Sequence, residues 1–281
     1  MSDQPSLLCP NAAGKEAGAA PGDARDAHSV TAAPKLVRFS DVQARQSRTS
    51  SLTCIAAWVR NYLAQPHPDL GRPGLVCPFI PLALRMDSIW MAEVADAAPS
   101  FESIAAAVMY FRDVFLTLEP LDGHTALQKA IIIVFPALAG GTAGSRLVDA
   151  VQFALKKQFV PHGLMLGEFH SANESPGLHN GQFRPLRSPI PLLAIRHMVE
   201  ADLPFLVNES YSPEERASFL RSYLLRLSGR LKPAKFEQAL ERLISVEVAL
   251  RAGAPRAGPS PHGNGDAAPG ADATQAAAAQ S

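Results

Sequence analysis

Cysteine is scarce in this chain. There are three, Cys9, Cys54 and Cys77, an odd number with no CxxC spacing. That argues against a disulfide framework and against a cysteine-rich zinc centre. Neither sign of charge prevails: 26 basic and 26 acidic residues leave a formal net charge of zero. No clustered Lys/Arg run is present to follow a phosphate backbone, so nucleic acid is not an expected partner. No apolar run reaches the roughly 18 residues of a membrane helix, and Leu7-Leu8-Cys9 is too short for a leader and lacks a basic stretch before it. A cytoplasmic location with no membrane partner follows as the expectation. Also missing are GxGxxG after a strand, GxxxxGK[ST], GxSxG and HExxH, so nucleotide-binding, serine-hydrolase and zinc-protease readings lose ground.

Large apolar side chains are sparse at both ends. Residues 1–47 are dominated by Ala, Gly, Ser, Asp, Pro and Gln, and 252–281 contain no aromatic residue. Such stretches bury too little apolar surface to offset the entropy lost on ordering, so both read as disordered tails. Between them, 48–251 suits one domain with a sizeable core.

Within that domain the pattern alternates. Leu52, Ile55, Ala56, Val59, Tyr62 and Leu63 recur at helical spacing. Residues 88–94 read as a strand, and Ser100 caps an apolar helix reaching about Leu118. Residues 130–135, AIIIVF, form a β-branched run suited to a central strand covered on both faces. A helix over 147–159 precedes strands at 164–170 and 191–198. Ser212-Pro213-Glu214-Glu215 then opens a helix with cap, proline and acids in their favoured places, and a last helix runs over 233–250. Strands interspersed with helices predict an α/β (α+β) domain: a single mixed β-sheet packed with helices.

The chemistry concentrates in 163–205. About twenty residues, HSANESPGLHNGQFRPLRSPIP from His170 to Pro191, separate two strands, and loops of that length are usually functional or disordered. Leu164, Leu166, Glu168 and His170 alternate, so they share one strand face, and a carboxylate with an imidazole ending an apolar face suits a pocket mouth. His197 ends the next strand. If it converges with Glu168 and His170, two histidines and a carboxylate form a set for non-haem iron, whereas one histidine alone serves as an axial haem ligand. The alternative is a surface acid and structural histidines. Arg184 and Arg187 either brace the loop or form a fork for an acidic ligand group. Cys77 before Pro78 is either a packed core thiol or, as a thiolate, an iron ligand or nucleophile.

The stretches GLMLGEFH, GLHN, FRPLRSPIPLLAIRHM and DLPFL, with the earlier CPFIPLAL, resemble a bacterial family, domain of unknown function 6875, from about Gly74 to Phe205. A more distant resemblance is to the YqcI/YcgG family, some of whose members are haem proteins that N-hydroxylate guanidino or amino groups in specialised metabolism. On that resemblance His170 matches the first histidine, Arg184-Pro185-Leu186-Arg187 the Arg-Pro-x-Arg stretch, His197 the second histidine, and Cys77-Pro78-Phe79 the early motif. An insertion carrying GLHN lies between His170 and Arg184, so His179 is an alternative ligand. The resemblance implies a haem-dependent, or other metal-dependent, oxidoreductase acting on a nitrogen-containing small molecule. Glu168, Arg184 and Arg187 would then serve as catalytic residues, and His170, His197, His179 and Cys77 would contact the cofactor. The rival expectation is a non-enzymatic accessory or binding protein of a biosynthetic pathway, with no cofactor and a redox or biosynthetic protein as partner.

Overall fold

The computed structural model describes residues 34–44 and 50–253. Among them five strands form one mixed sheet in the order β1-β2-β3-β5-β4: β1 Val37–Arg38, β2 Ile89–Glu93, β3 Ala130–Val134, β4 Leu164–Phe169 and β5 Leu192–His197. β2 and β3 are parallel; every other neighbouring pair is antiparallel. The helices are α1 Phe39–Ala44, α2 Ser51–Trp58, α3 Ile80–Arg85, α4 Phe101–Thr117, α5 Gly123–Ala126, α6 Thr142–Phe159, α7 Leu203–Leu206, α8 Pro213–Arg226 and α9 Pro233–Gly253. The predicted α/β class and the mixed sheet are what the chain forms.

β3 is central because all five of its side chains are buried. Its alternate residues feed two cores. Ala130, Ile132 and Val134 pack with α1, α2 and α3 on one face, while Ile131 and Ile133 pack with α4 and α6 on the other. Each fully buried Ile or Val stabilises the fold by roughly 1.5–3 kcal/mol, so the strand's composition alone accounts for its place in the middle. A third apolar cluster joins Met165 and Met198 to α7, α8 and α9.

The expected caps hold. Ser100 accepts from the Ser103 amide and Ser212 from the Glu215 amide, each in a reciprocal capping box. α2 passes directly into a π-helical turn, Val59–Leu63, a local widening often found beside functional sites. The expected N-terminal tail needs correcting: β1 and α1 fall inside 1–47, with Val37, Phe39 and Val42 buried in the first core. The three buried apolar residues of LVRFSDVQ suffice, because β2 offers a strand edge to pair with. The remainder of that tail, and 254–281, lie outside the described residues.

Candidate functional site

A cavity of about 1090 Å³ wraps the outer edge of β4, just above the usual range for small-molecule sites, about 300–1,000 Å³. On one side of the strand its walls are apolar, with Trp58, Cys77, Phe79, Ala130, Ile132, Phe169 and Ala194. On the other side they are polar, with Asp149, Gln152, Lys156, Glu168, His170, Asn173 and Tyr211. Alternation along β4 creates the division: Met165, Gly167 and Phe169 point one way, Leu166, Glu168 and His170 the other.

α6 supplies the facing polar groups. Asp149, Gln152, Phe153 and Lys156 follow the i, i+3, i+4, i+7 spacing of one helix stripe, while Val148, Val151, Leu155 and Phe159 fill the core beside it. Asp149 lies 2.8 Å from His170 Nε2. The His170 ring is 2% exposed, and its Nδ1 has no hydrogen-bond partner. Gln152 Nε2 donates to the Leu166 carbonyl at 2.9 Å. Lys156 is buried; its Nζ donates to the Phe205 carbonyl at 2.6 Å and sits 4.4 Å above the Tyr211 ring. Tyr211 stacks on Phe153 with ring centroids 4.6 Å apart.

The electrostatics follow from this burial. Burial first, and then the like charge of Asp149, push the Glu168 carboxyl up to about 7, against the opposing pull of Lys156 and of Asn173's hydrogen bond. Burial likewise brings the Lys156 ammonium down to about 8, with Glu168 and Asp202 opposing. Burial, with Glu168 beside it, raises the Tyr211 phenol. Three groups with displaced proton affinities thus share one cavity, a pattern enriched at functional sites.

The expected site residues separate. Glu168 and His170 share a face, as the alternation predicted. His197 does not join them. β4 and β5 are antiparallel, with Leu164 opposite His197 and Phe169 opposite Leu192, so the two histidines stand at opposite ends of the ladder, about 20 Å apart at ~3.3 Å per residue. His197 packs edge-on against Phe115, with centroids 5.0 Å apart. Burial lowers its imidazole to about 4, helped by Lys129 and Arg230. The two-histidine metal set therefore does not assemble.

Arg184 and Arg187 are both drawn to Glu174: Arg184 Nε at 3.0 Å from one carboxylate oxygen, and an Arg187 terminal nitrogen on the other. Arg184 also donates to the Gly181 carbonyl, and Arg187 to that of Asn173. These contacts brace the loop, and neither guanidinium lines the cavity. His179 is exposed, and its carbonyl packs where a side chain on Gly71 would go, 2.6 Å from that Cβ position. Cys77 lines the apolar wall as a free thiol. Burial pushes its pKa up, which disfavours the thiolate that ligation or nucleophilic attack requires.

Sequence reasoning missed Asp149, Gln152, Lys156 and Tyr211, although the polar stripe on α6 was a readable signal for the first three. It also missed Arg196, whose fork grips Asp202 at 2.7 and 2.6 Å at the cavity wall. Among the described residues no cluster of three or more His, Cys, Asp or Glu has metal-binding geometry. No helix among them is long and apolar enough to cross a membrane. In comparisons with known proteins, the family described as Domain of unknown function (DUF6875) matches residues 52–236. No curated protein and no solved structure matches.

Proposed function

The chain belongs to the DUF6875 family, and we propose that its β4-edge cavity is an enzyme active site for a nitrogen-containing small molecule, with Glu168 exchanging a proton with it. One observation carries this reading: Glu168 stands inside a cofactor-sized cavity between Asp149 and Lys156, with a proton affinity near neutrality. A carboxyl poised there is half-ionised at working pH, which is where general acid–base catalysis is most effective. The cavity's cations are already committed, Lys156 to the Phe205 carbonyl and Tyr211 ring and Arg196 to Asp202. The anionic groups facing the cavity beside them are Glu168 and Asp149, whose Oδ1 meets His170, and they favour an amine or another hydrogen-bond donor. Trp58, Phe79 and Phe169 would hold its apolar part.

The test is a thermal-shift screen of amine-bearing metabolites between pH 6 and 8. A cationic ligand is expected to bind more tightly as Glu168 ionises with rising pH, and Glu168→Gln to remove most of that dependence below pH 7, the remainder coming from Lys156, which loses its charge near pH 8. A dependence below pH 7 that is unchanged in Glu168→Gln, or the absence of any binder, overturns the assignment.

A haem-dependent oxidation is the second reading, and one observation favours it: His170 has an unpartnered, buried Nδ1 while its Nε2 is anchored on Asp149. A carboxylate on the other ring nitrogen is what orients histidine ligands of metals generally. His170 would hold the haem, which supplies one-electron and oxygen chemistry, while Asp149 would fix the imidazole and Glu168 would hold a proton beside it. Purified protein expressed with haem should then show a Soret band that is lost in His170→Ala and kept in His197→Ala. A colourless wild type, or equal loss in both variants, refutes this reading.

A further inference from the structure

The cavity is crossed by an open strand edge. β4 ends the sheet and pairs only with β5. Just before it, the Met198 amide donates to the Gly163 carbonyl at 2.8 Å, which makes those two residues a hydrogen-bonded pair. Antiparallel ladders alternate bonded and non-bonded pairs, so Met165–Arg196, Gly167–Ala194 and Phe169–Leu192 are also bonded pairs in this register. The residues between them, Leu164, Leu166 and Glu168, turn their amides and carbonyls outward. Gln152 donating to the Leu166 carbonyl from outside the sheet fits that direction and closes the edge there. Beyond Phe169 the His170 amide donates to the Leu186 carbonyl, closing the edge again. Between these two points the Glu168 carbonyl has no hydrogen-bond partner among the described residues, and its amide meets only its own carboxylate. An unpaired edge of this kind is a template for an extended chain.

We propose that the ligand of this cavity is a short peptide-like molecule that adds one antiparallel residue to the edge of β4 at Glu168, and that this residue carries a basic side chain. The proposal rests on the reading of the cavity as a ligand site and narrows the ligand's class. Residues paired across an antiparallel ladder place their side chains on the same face. A residue opposite Glu168 therefore extends along the α6 side, where the cavity is lined by the carboxylates of Glu168 and of Asp149, whose Oδ1 meets His170. Its chain neighbours point to the other side, toward Trp58, Phe79 and Phe169. Because the edge is closed on both sides of Glu168, the site suits a single residue with short flanks and not a long strand.

The probe is acetyl-Lys-Phe-amide, titrated into the full ¹⁵N-labelled chain beside an analogue in which an ester oxygen replaces the lysine N–H. The peptide should shift the Glu168 amide resonance and slow its exchange, and the ester should bind about five- to tenfold more weakly, the effect of one net hydrogen bond. Glu168→Ala and Glu168→Pro both lose the carboxylate, but only the second loses the outward amide, a change that edge strands tolerate. The proline variant should bind the peptide more weakly than the alanine variant; if it fails to fold, the ester comparison and the amide resonance decide. Equal binding of ester and amide, or an unmoved Glu168 resonance, overturns the proposal. So does a peptide that fails to bind while other small molecules fill the cavity, an outcome that leaves the active-site reading standing. If nothing of any class binds, both fall.

Discussion

Glu168→Gln isolates the free energy of holding a carboxyl group inside the cavity. Below the usual glutamate pKa of 4.5 the group is protonated in folded and unfolded chains alike and has no differential effect. Between 4.5 and about 7 the unfolded chain releases its proton and the folded chain keeps it, so the Glu168 contribution to wild-type stability falls as pH rises through this window. Above pH 7 both states are ionised and the loss is complete. A rise from 4.5 to about 7 corresponds to about 3 kcal/mol at 1.36 kcal/mol per unit, an order of magnitude set mainly by desolvation. Glutamine has nearly the same shape and no such titration. The assay is urea unfolding of both proteins from pH 4 to 8, compared at matched m-values. The variant-minus-wild-type stability should grow by about 3 kcal/mol across the range, and any constant offset from altered hydrogen bonding cancels in the comparison. A difference that stays flat with pH refutes the claim that Glu168 is desolvated in the fold.

Three further outcomes follow. Arg196→Ala leaves Asp202, 1% exposed, as an uncompensated buried charge, and should cost about 3–5 kcal/mol in chemical denaturation. Gly71→Ala must place a Cβ 2.6 Å from the His179 carbonyl at a backbone φ of +75°; it should destabilise by about 1–3 kcal/mol and speed hydrogen exchange in the 177–183 segment. His197 is held near pKa 4, so its unfolded form takes up a proton first and its own contribution to stability declines as pH falls from 6.5 to 4, opposite in sign to that of Glu168. The His197→Phe-minus-wild-type stability should therefore be larger at pH 4.5 than at pH 7 in urea unfolding, a difference in which the Glu168 contribution cancels, and ligand binding at the cavity should be unchanged.

Where the local pattern was strong, the elements were readable from it. AIIIVF gave the central strand because β-branched residues with no polar face suit only a doubly covered position, and Ser100 and Ser212 marked helix starts through hydrogen bonds made within three residues. The pairing of Glu168 with His170 was readable too, since a period of two needs no tertiary information. The expected meeting of His170 and His197 failed for a definite reason. Two strand ends converge when the strands are parallel, whereas β4 and β5 run antiparallel and carry those ends apart. Arg184 and Arg187 offered two plausible roles, and Glu174 settled them by lying within reach of both.

The sequence by itself determined an α/β domain with a buried central strand, the boundaries of most of its elements, and the shared face of Glu168 and His170 at the end of β4, because each of these depends on near neighbours in the chain. Only the tertiary structure decided that α6 lays Asp149 and Lys156 against Glu168, and that the edge of β4 opens into a cavity. Proton affinities and ligand shape depend on what is brought within a few ångströms in space, and strand order and helix docking, which have no local signature, set those distances.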